Sequence, residues 1–171
     1  MNLQKEKNKL LVEEYPFLLP RNVFTDELAS EYDYEFTWLD EMPETWKNAF
    51  GLKMCQELKE VLIKTNSLND FRIQQIKEKY GTLRVYSNFI NDEIERVIRK
   101  YEEMSMMFCI KCGKPTRWIS KWYIAFLCDN CKDENCERLT ERDIPRYTTF
   151  TKNSHYITES IFKEEMIKQW S

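Results

Sequence analysis

The chain has 171 residues, 42% hydrophobic and 14% aromatic, which is enough length and apolar content to bury a core and excludes a disordered composition. A formal net charge of −3 excludes a surface that grips nucleic acid all over, while leaving room for a local basic patch. Three glycines cannot build a glycine-rich phosphate loop, and any histidine-based triad would rest on the single His155 in the polar run KNSHYITES.

In chain order, MNLQKEKNKLLVEEYPFLLP lacks the unbroken apolar core of a signal peptide, and the longest strongly apolar run, WYIAFLC, is too short to span a bilayer. The expected location is a cytoplasm, where thiols stay reduced. Residues 3–14 have helical composition. Pro16 and Pro20 then predict an extended connector, with Phe17, Leu18 and Leu19 anchoring it to the core. Residues 24–40 are ambiguous, but the alternation in YDYEFTWL favours a strand with Tyr32, Tyr34, Phe36 and Trp38 on one face.

Residues 43–64 read as a helix opened by Pro43, with Trp46, Phe50, Met54, Leu58, Val61 and Leu62 at helical spacing. Cys55 borders that stripe and reads as a buried thiol acting as a small hydrophobe. Gly51 inside the helix predicts close approach of another backbone. A hairpin over 71–88 follows, and then a helix over 91–106 capped by Asn91 with Ile94, Val97, Ile98, Tyr101 and Met104 inward. The tail closes with an amphipathic helix at 158–170, Ile161, Phe162, Met166, Ile167 and Trp170 sharing a face. These elements predict an α+β fold: a small antiparallel sheet, the hairpin 71–88, packed with two or three helices, plus an appended zinc ribbon and a C-terminal helix. The expected divisions are a core with an N-terminal arm at 1–107, the ribbon at 108–136 and an extension at 137–171.

The strongest chemical signal is CIKCGK followed, after fifteen residues, by CDNC. Cys109, Cys112, Cys128 and Cys131 have the spacing of a four-thiolate zinc site, since two residues between cysteines let one tight turn aim both sulfurs at one ion. Gly113 suits such a turn. The intervening RWISKWYIAFL has β-branched and aromatic residues suited to a short hairpin. Four thiolates close the coordination sphere, so the implied role of zinc is structural rather than catalytic. Cys136 is a spare thiol without an assigned role.

In KEKYGTLRVY, a Tyr80-Gly81 loop pairs Lys79 with Thr82, Lys77 with Arg84, Gln75 with Tyr86 and Ile76 with Val85. Ile76, Leu83 and Val85 then face the core, and Gln75, Lys77, Lys79, Arg84 and Tyr86 face outward as candidate ligand-binding residues. Lys77 opposite Arg84 is an unfavourable like-charge pair. Three readings stay open: neutralisation by Glu78, Glu93 or Glu95, capture of an external anion with Tyr86 available to stack on it, or a register one residue away that exchanges the faces.

The strings EEYPFLLPRN, MPETWKNAFGLKMCQELKEVL, FRIQQIKEKYGTLRVYSN and CIKCGKP, in that order, resemble an uncharacterised family of small phage- and prophage-encoded proteins. The likeness covers most of 13–131; IKEKYGTLR-Y is its most specific part, and a C-x-x-C-G zinc-knuckle module ends it. It implies a phage-related gene acting in a bacterial host cytoplasm, with Gln75, Lys77, Glu78, Lys79, Tyr80, Gly81, Arg84 and Tyr86 part of the family pattern. It implies no activity. Residues 137–171 extend past the shorter members.

The expected function is a non-enzymatic binding module that captures an anionic ligand, a phosphorylated small molecule or nucleotide signal, or a host protein, as an inhibitor of host defence would. The alternative is a nucleic-acid-binding zinc ribbon, with Lys111, Lys114, Arg117 and Lys121 tracking phosphates between Trp118, Trp122 and Tyr123. Against it stand the acidic run DENCERLTERD and the reading of these aromatics as packing between ribbon and core. An acid–base enzyme ranks third, because no carboxylate pair, Asp40 with Glu41 included, stands out from charged surface.

Overall fold

The computed structural model describes residues 2–141 together with 143 and 169. The first helix, α1 (Leu3–Glu14), starts where the Asn2 side chain accepts from the Gln4 N–H and buries Asn8 and Val12. The connector after it is a 3-10 turn, Pro16–Leu18, rather than an extended segment. Pro16 suits its first position, and the turn drives Phe17 and Leu18 fully into the core with Leu19 half-buried.

Residues 24–40 form no strand. Tyr34 adopts a φ of 65°, which breaks the two-residue alternation, and the backbone bonds to nearby side chains instead of a ladder. The Tyr32 hydroxyl donates to the Phe36 carbonyl, and Asp33 accepts from the Glu35 N–H. Asp40 accepts from the Thr37 N–H at 2.7 Å, opening a 3-10 turn over Trp38–Glu41.

The apolar stripe after Pro43 forms one helical path in three parts: α2 (Glu44–Trp46), a π turn (Lys47–Gly51) and α3 (Leu52–Lys64). Trp46, Phe50, Met54, Cys55, Leu58 and Leu62 are buried, and burial pushes the Cys55 thiol up to about 12. Gly51 meets side chains rather than backbone: a Cβ there would lie 3.4 Å from Leu39 Cδ1 and from Lys47 Cγ. Asn91 caps α4 (Asp92–Met104) as expected, accepting from the Glu93 and Ile94 N–H groups, and α4 buries Ile94, Val97, Ile98 and Tyr101 against this layer.

The hairpin strands β1 (Ile73–Lys79) and β2 (Thr82–Ser87) pair in the expected register, with Lys77 opposite Arg84 and Gln75 opposite Tyr86. Tyr80 and Gly81 have φ of 53° and 77°, the two positive values of a primed hairpin turn. Ile73, Ile76, Leu83 and Val85 complete the core. The outer edge of β2 is covered by side chains of and just after α4. The Leu83 N–H donates to Ser105 Oγ at 2.9 Å, and the Val85 N–H donates to Glu102 Oε1 at 3.0 Å.

Glu102 therefore carries a testable signature. Burial raises it from 4.5 to about 7; Glu103 adds to the rise, while the Val85 N–H, Arg84 and Arg99 oppose it. Between those values the folded chain holds a proton that the unfolded chain has released, so stability falls as pH rises through the window. Glu102→Gln keeps a carbonyl oxygen for Val85 and removes the titration. Urea unfolding should show its stability relative to the parent rising between pH 4.5 and 8 by on the order of 2 kcal/mol. A difference that is flat with pH would mean that Glu102 is ionised throughout.

The ribbon is a three-stranded antiparallel sheet, β3 (Trp118–Ser120), β4 (Phe126–Leu127) and β5 (Cys136–Arg138), ordered β4-β3-β5. Its hydrophobic layer joins Met106, Ile119, Phe126 and Leu139, so the packing runs past residue 136. Of the tail helix expected at 158–170, all but Gln169 lies outside the described residues; Gln169 donates to the Met107 carbonyl at 2.9 Å. The architecture is α+β. No helix among the described residues is long and apolar enough to cross a membrane.

Candidate metal centre and binding face

Two cysteine turns converge at one edge of the ribbon. In the first, the Gly113 N–H returns to the Cys109 carbonyl at 2.7 Å and the Cys109 N–H donates to the Lys114 carbonyl at 2.7 Å, with Gly113 at φ 74°. In the second, the Cys131 and Lys132 N–H groups both reach the Cys128 carbonyl at 3.1 Å. The four sulfurs of Cys109, Cys112, Cys128 and Cys131 lie within 4.8 Å of one another, with Cys112 and Cys128 at 3.4 Å. A tetrahedral thiolate cage with metal–sulfur bonds of about 2.3 Å has sulfur–sulfur edges of about 3.8 Å, so the cluster fits one ion.

The crowding splits the proton affinities of these thiols. Burial raises Cys128, but hydrogen bonds from Cys112 and from the Asn130 and Cys131 N–H groups outweigh it and bring the thiol down to about 7. Cys131 is pushed up to about 12, first by its hydrogen bond with Cys112. Cys136 lies outside the four-sulfur cluster: its sulfur bonds to Asp133 at 3.4 Å, and the residue packs against the buried group of Cys109, Ala125, Leu127 and Cys128.

The centre is fastened to the core on two sides. Trp46 Nε1 donates to the Phe108 carbonyl at 3.2 Å, and Thr45 Oγ1 donates to the Ile110 carbonyl at 3.1 Å, holding the first cysteine turn against α2. On the other side the hairpin turn meets the β3–β4 loop, where a Cβ on Gly81 would stand 2.7 Å from the Ile124 carbonyl oxygen. This approach sets two loop tips side by side, one bearing Lys79 and Tyr80, the other Trp122 and Tyr123.

On the outward hairpin face, the two members of the like-charged pair have different partners. Arg84 is half-buried, with Nη1 bonded to the Leu83 carbonyl at 2.7 Å and 3.9 Å from Glu102 Oε2. Lys77 places its ammonium 5.0 Å from the centre of the Tyr86 ring. Lys79 lies 5.5 Å from the Tyr80 ring. Among the described residues, neither lysine has a carboxylate within 4 Å. Of the acids expected to neutralise the face, Glu78 accepts from the Gly81 N–H at 2.5 Å and Glu93 pairs with Lys64 at 3.0 Å, while Glu95 has no basic group within 4 Å among the described residues. The acid that does approach Arg84 comes from α4.

The ribbon aromatics do not act alike. Trp118 is half-buried beneath Lys132 and donates to Asp129 at 2.8 Å. Trp122 is 82% exposed and Tyr123 58%, so neither packs the ribbon onto the core. Of the ribbon cations, Arg117 and Lys121 face Asp129 and Glu137, whereas Lys111 and Lys114 have no carboxylate within 4 Å among the described residues. The union of hairpin tip and ribbon tip escaped sequence reasoning, because its only trace is the glycine of the turn. Comparison with protein-family models, curated proteins and solved structures finds no match to the chain.

Proposed function

We propose that this chain is a phage-type, non-enzymatic binding protein, stapled by zinc, that takes an anionic partner where the hairpin face meets the ribbon tip. Zinc follows from the ligand chemistry: four thiolates suit a borderline-soft ion without geometric preference and leave no open position for water or substrate. The phage context rests on the IKEKYGTLR-Y string, which forms the hairpin at the centre of the face.

The juxtaposition of the two tips carries the reading. It sets the turn of exposed Tyr80 against the loop that carries exposed Trp122 and Tyr123, on the hairpin whose outer face bears Lys77 and Lys79, cations with no carboxylate within 4 Å among the described residues. Such a surface offers charge to a phosphate and ring faces to a base. A phosphorylated small molecule such as a nucleotide signal, captured in the host cytoplasm by an inhibitor of defence, is the first reading. A single strand of nucleic acid is the second, favoured by the exposure of Trp122.

The test uses the full zinc-loaded chain, titrated with a cyclic dinucleotide, ATP and labelled single-stranded oligonucleotides at low and moderate salt. Lys77→Ala with Lys79→Ala should weaken whichever ligand binds at least ten-fold while leaving the unfolding midpoint unchanged. Trp122→Ala separates the readings: it should cost a strand about 1–3 kcal/mol of stacking and leave a ligand held by its phosphates nearly unaffected. A strand should also lose affinity steeply with salt. Absence of binding to every probe at low salt, or a double-lysine variant that binds like the parent, would remove the proposal.

A further inference from the structure

A cavity of about 520 Å³ opens between α1 and the π turn, lined by residues that belong to neither the metal centre nor the hairpin face. Its size lies within the roughly 300–1,000 Å³ of small-molecule sites. The seven consecutive residues 47–53 line one side, so the wide turn itself forms the wall. Single π turns within α-helical segments recur at functional sites.

The floor is apolar, made by Leu11, Leu39 and Phe50. The acids in the lining are engaged: Asp40 caps Thr37 at 2.7 Å, and Lys47 lies 2.8 Å from Glu44 and 3.8 Å from Asp40. Lys7 and Lys53 are exposed lining residues with no carboxylate within 4 Å among the described residues. Lys53 interacts with Glu57 only at longer range. An apolar floor beneath two exposed cations that form no close ion pair is complementary to one kind of molecule.

We propose that this cavity binds a small amphipathic anion, its apolar body on the Leu11–Leu39–Phe50 floor and its carboxylate or phosphate met by Lys7 and Lys53. The site is separate from the hairpin face and stands or falls independently of it.

The experiment titrates the full zinc-loaded chain with octanoate, octyl phosphate, octanol and inorganic phosphate, following backbone amide resonances. Octanoate or octyl phosphate should produce saturable shifts over residues 47–53 and α1, and the tighter of the two identifies the headgroup. Octanol and inorganic phosphate, each carrying half of the recognition, should bind at least ten-fold more weakly. Lys7→Ala with Lys53→Ala should lower affinity for the anion about ten-fold, and Ala49→Trp, at an exposed lining position, should obstruct it. Lys77→Ala with Lys79→Ala should leave this binding unchanged. No saturable shift over 47–53, equal binding of octanol and octanoate, or lysine variants that bind like the parent would overturn the assignment.

Discussion

Stripping the metal from the purified chain, or replacing Cys128 with serine, should melt the ribbon while the α+β core remains folded. The two parts differ in what holds them. The core cluster unites twenty buried hydrophobic residues, from Val12 to Tyr101. The ribbon has two small clusters of four buried residues each, one of which contains Cys109 and Cys128 of the four-cysteine cluster. Packing on that scale does not offset the chain entropy of some thirty residues. Structural zinc sites supply about 10–16 kcal/mol of apparent binding energy in small modules, so losing the ion decides whether this one folds. Amide spectra before and after chelation should show residues 108–139 collapsing to random-coil positions while α3 and α4 keep their dispersion. Native mass spectrometry should count one zinc per chain. A ribbon whose resonances survive chelation would show that Trp46, Thr45 and the sheet suffice without the metal.

Gly81→Ala should destabilise the protein by about 3 kcal/mol, the largest effect expected of adding a single methyl group here. Two costs coincide at this position. A φ of 77° is strained for any residue with a Cβ, and that Cβ would stand 2.7 Å from the Ile124 carbonyl oxygen and 3.2 Å from Ala125 Cα. Both neighbours are backbone and cannot swing aside as the end of a side chain would. Gly81→Asn separates the costs, since asparagine tolerates the positive φ but still brings a Cβ. In urea unfolding it should recover only the φ share of the loss, about 1 kcal/mol, and keep the rest. Recovery to glycine-like stability would assign the whole effect to φ and deny the contact. Gly51→Ala provides the opposite sign: its nearest contacts are ordinary ones at 3.4 Å to side chains, and alanine's helix preference should add up to about 1 kcal/mol.

The parts of this molecule legible in its sequence are those fixed by short-range rules. Tyr80-Gly81 sets the hairpin register pair by pair, C-x-x-C spacing finds the four sulfurs, and Asn91 marks the start of its helix. The stretch 24–40 misleads because alternation measures periodicity and not the availability of a neighbouring strand. With Asp33, Tyr32 and Asp40 bonding the backbone locally, the aromatic rings pair among themselves, Tyr32 with Tyr34 at 5.0 Å and Phe36 with Trp38 at 5.6 Å. The fate of Arg84 was hidden for another reason: Glu102 is eighteen positions away and reaches it only because α4 folds back over β2. The face proposed to bind depends equally on tertiary approach, since its aromatics come from loops some forty residues apart.

A free sheet rim is an open invitation to any extended peptide, whether a legitimate visitor or another copy emerging from the same ribosome. Ser105 and Glu102 plug that rim on β2, where Leu83 and Val85 would otherwise offer their amide protons. Zippering onto this strand is thereby closed, which guards against runaway stacking when the polypeptide is made in quantity.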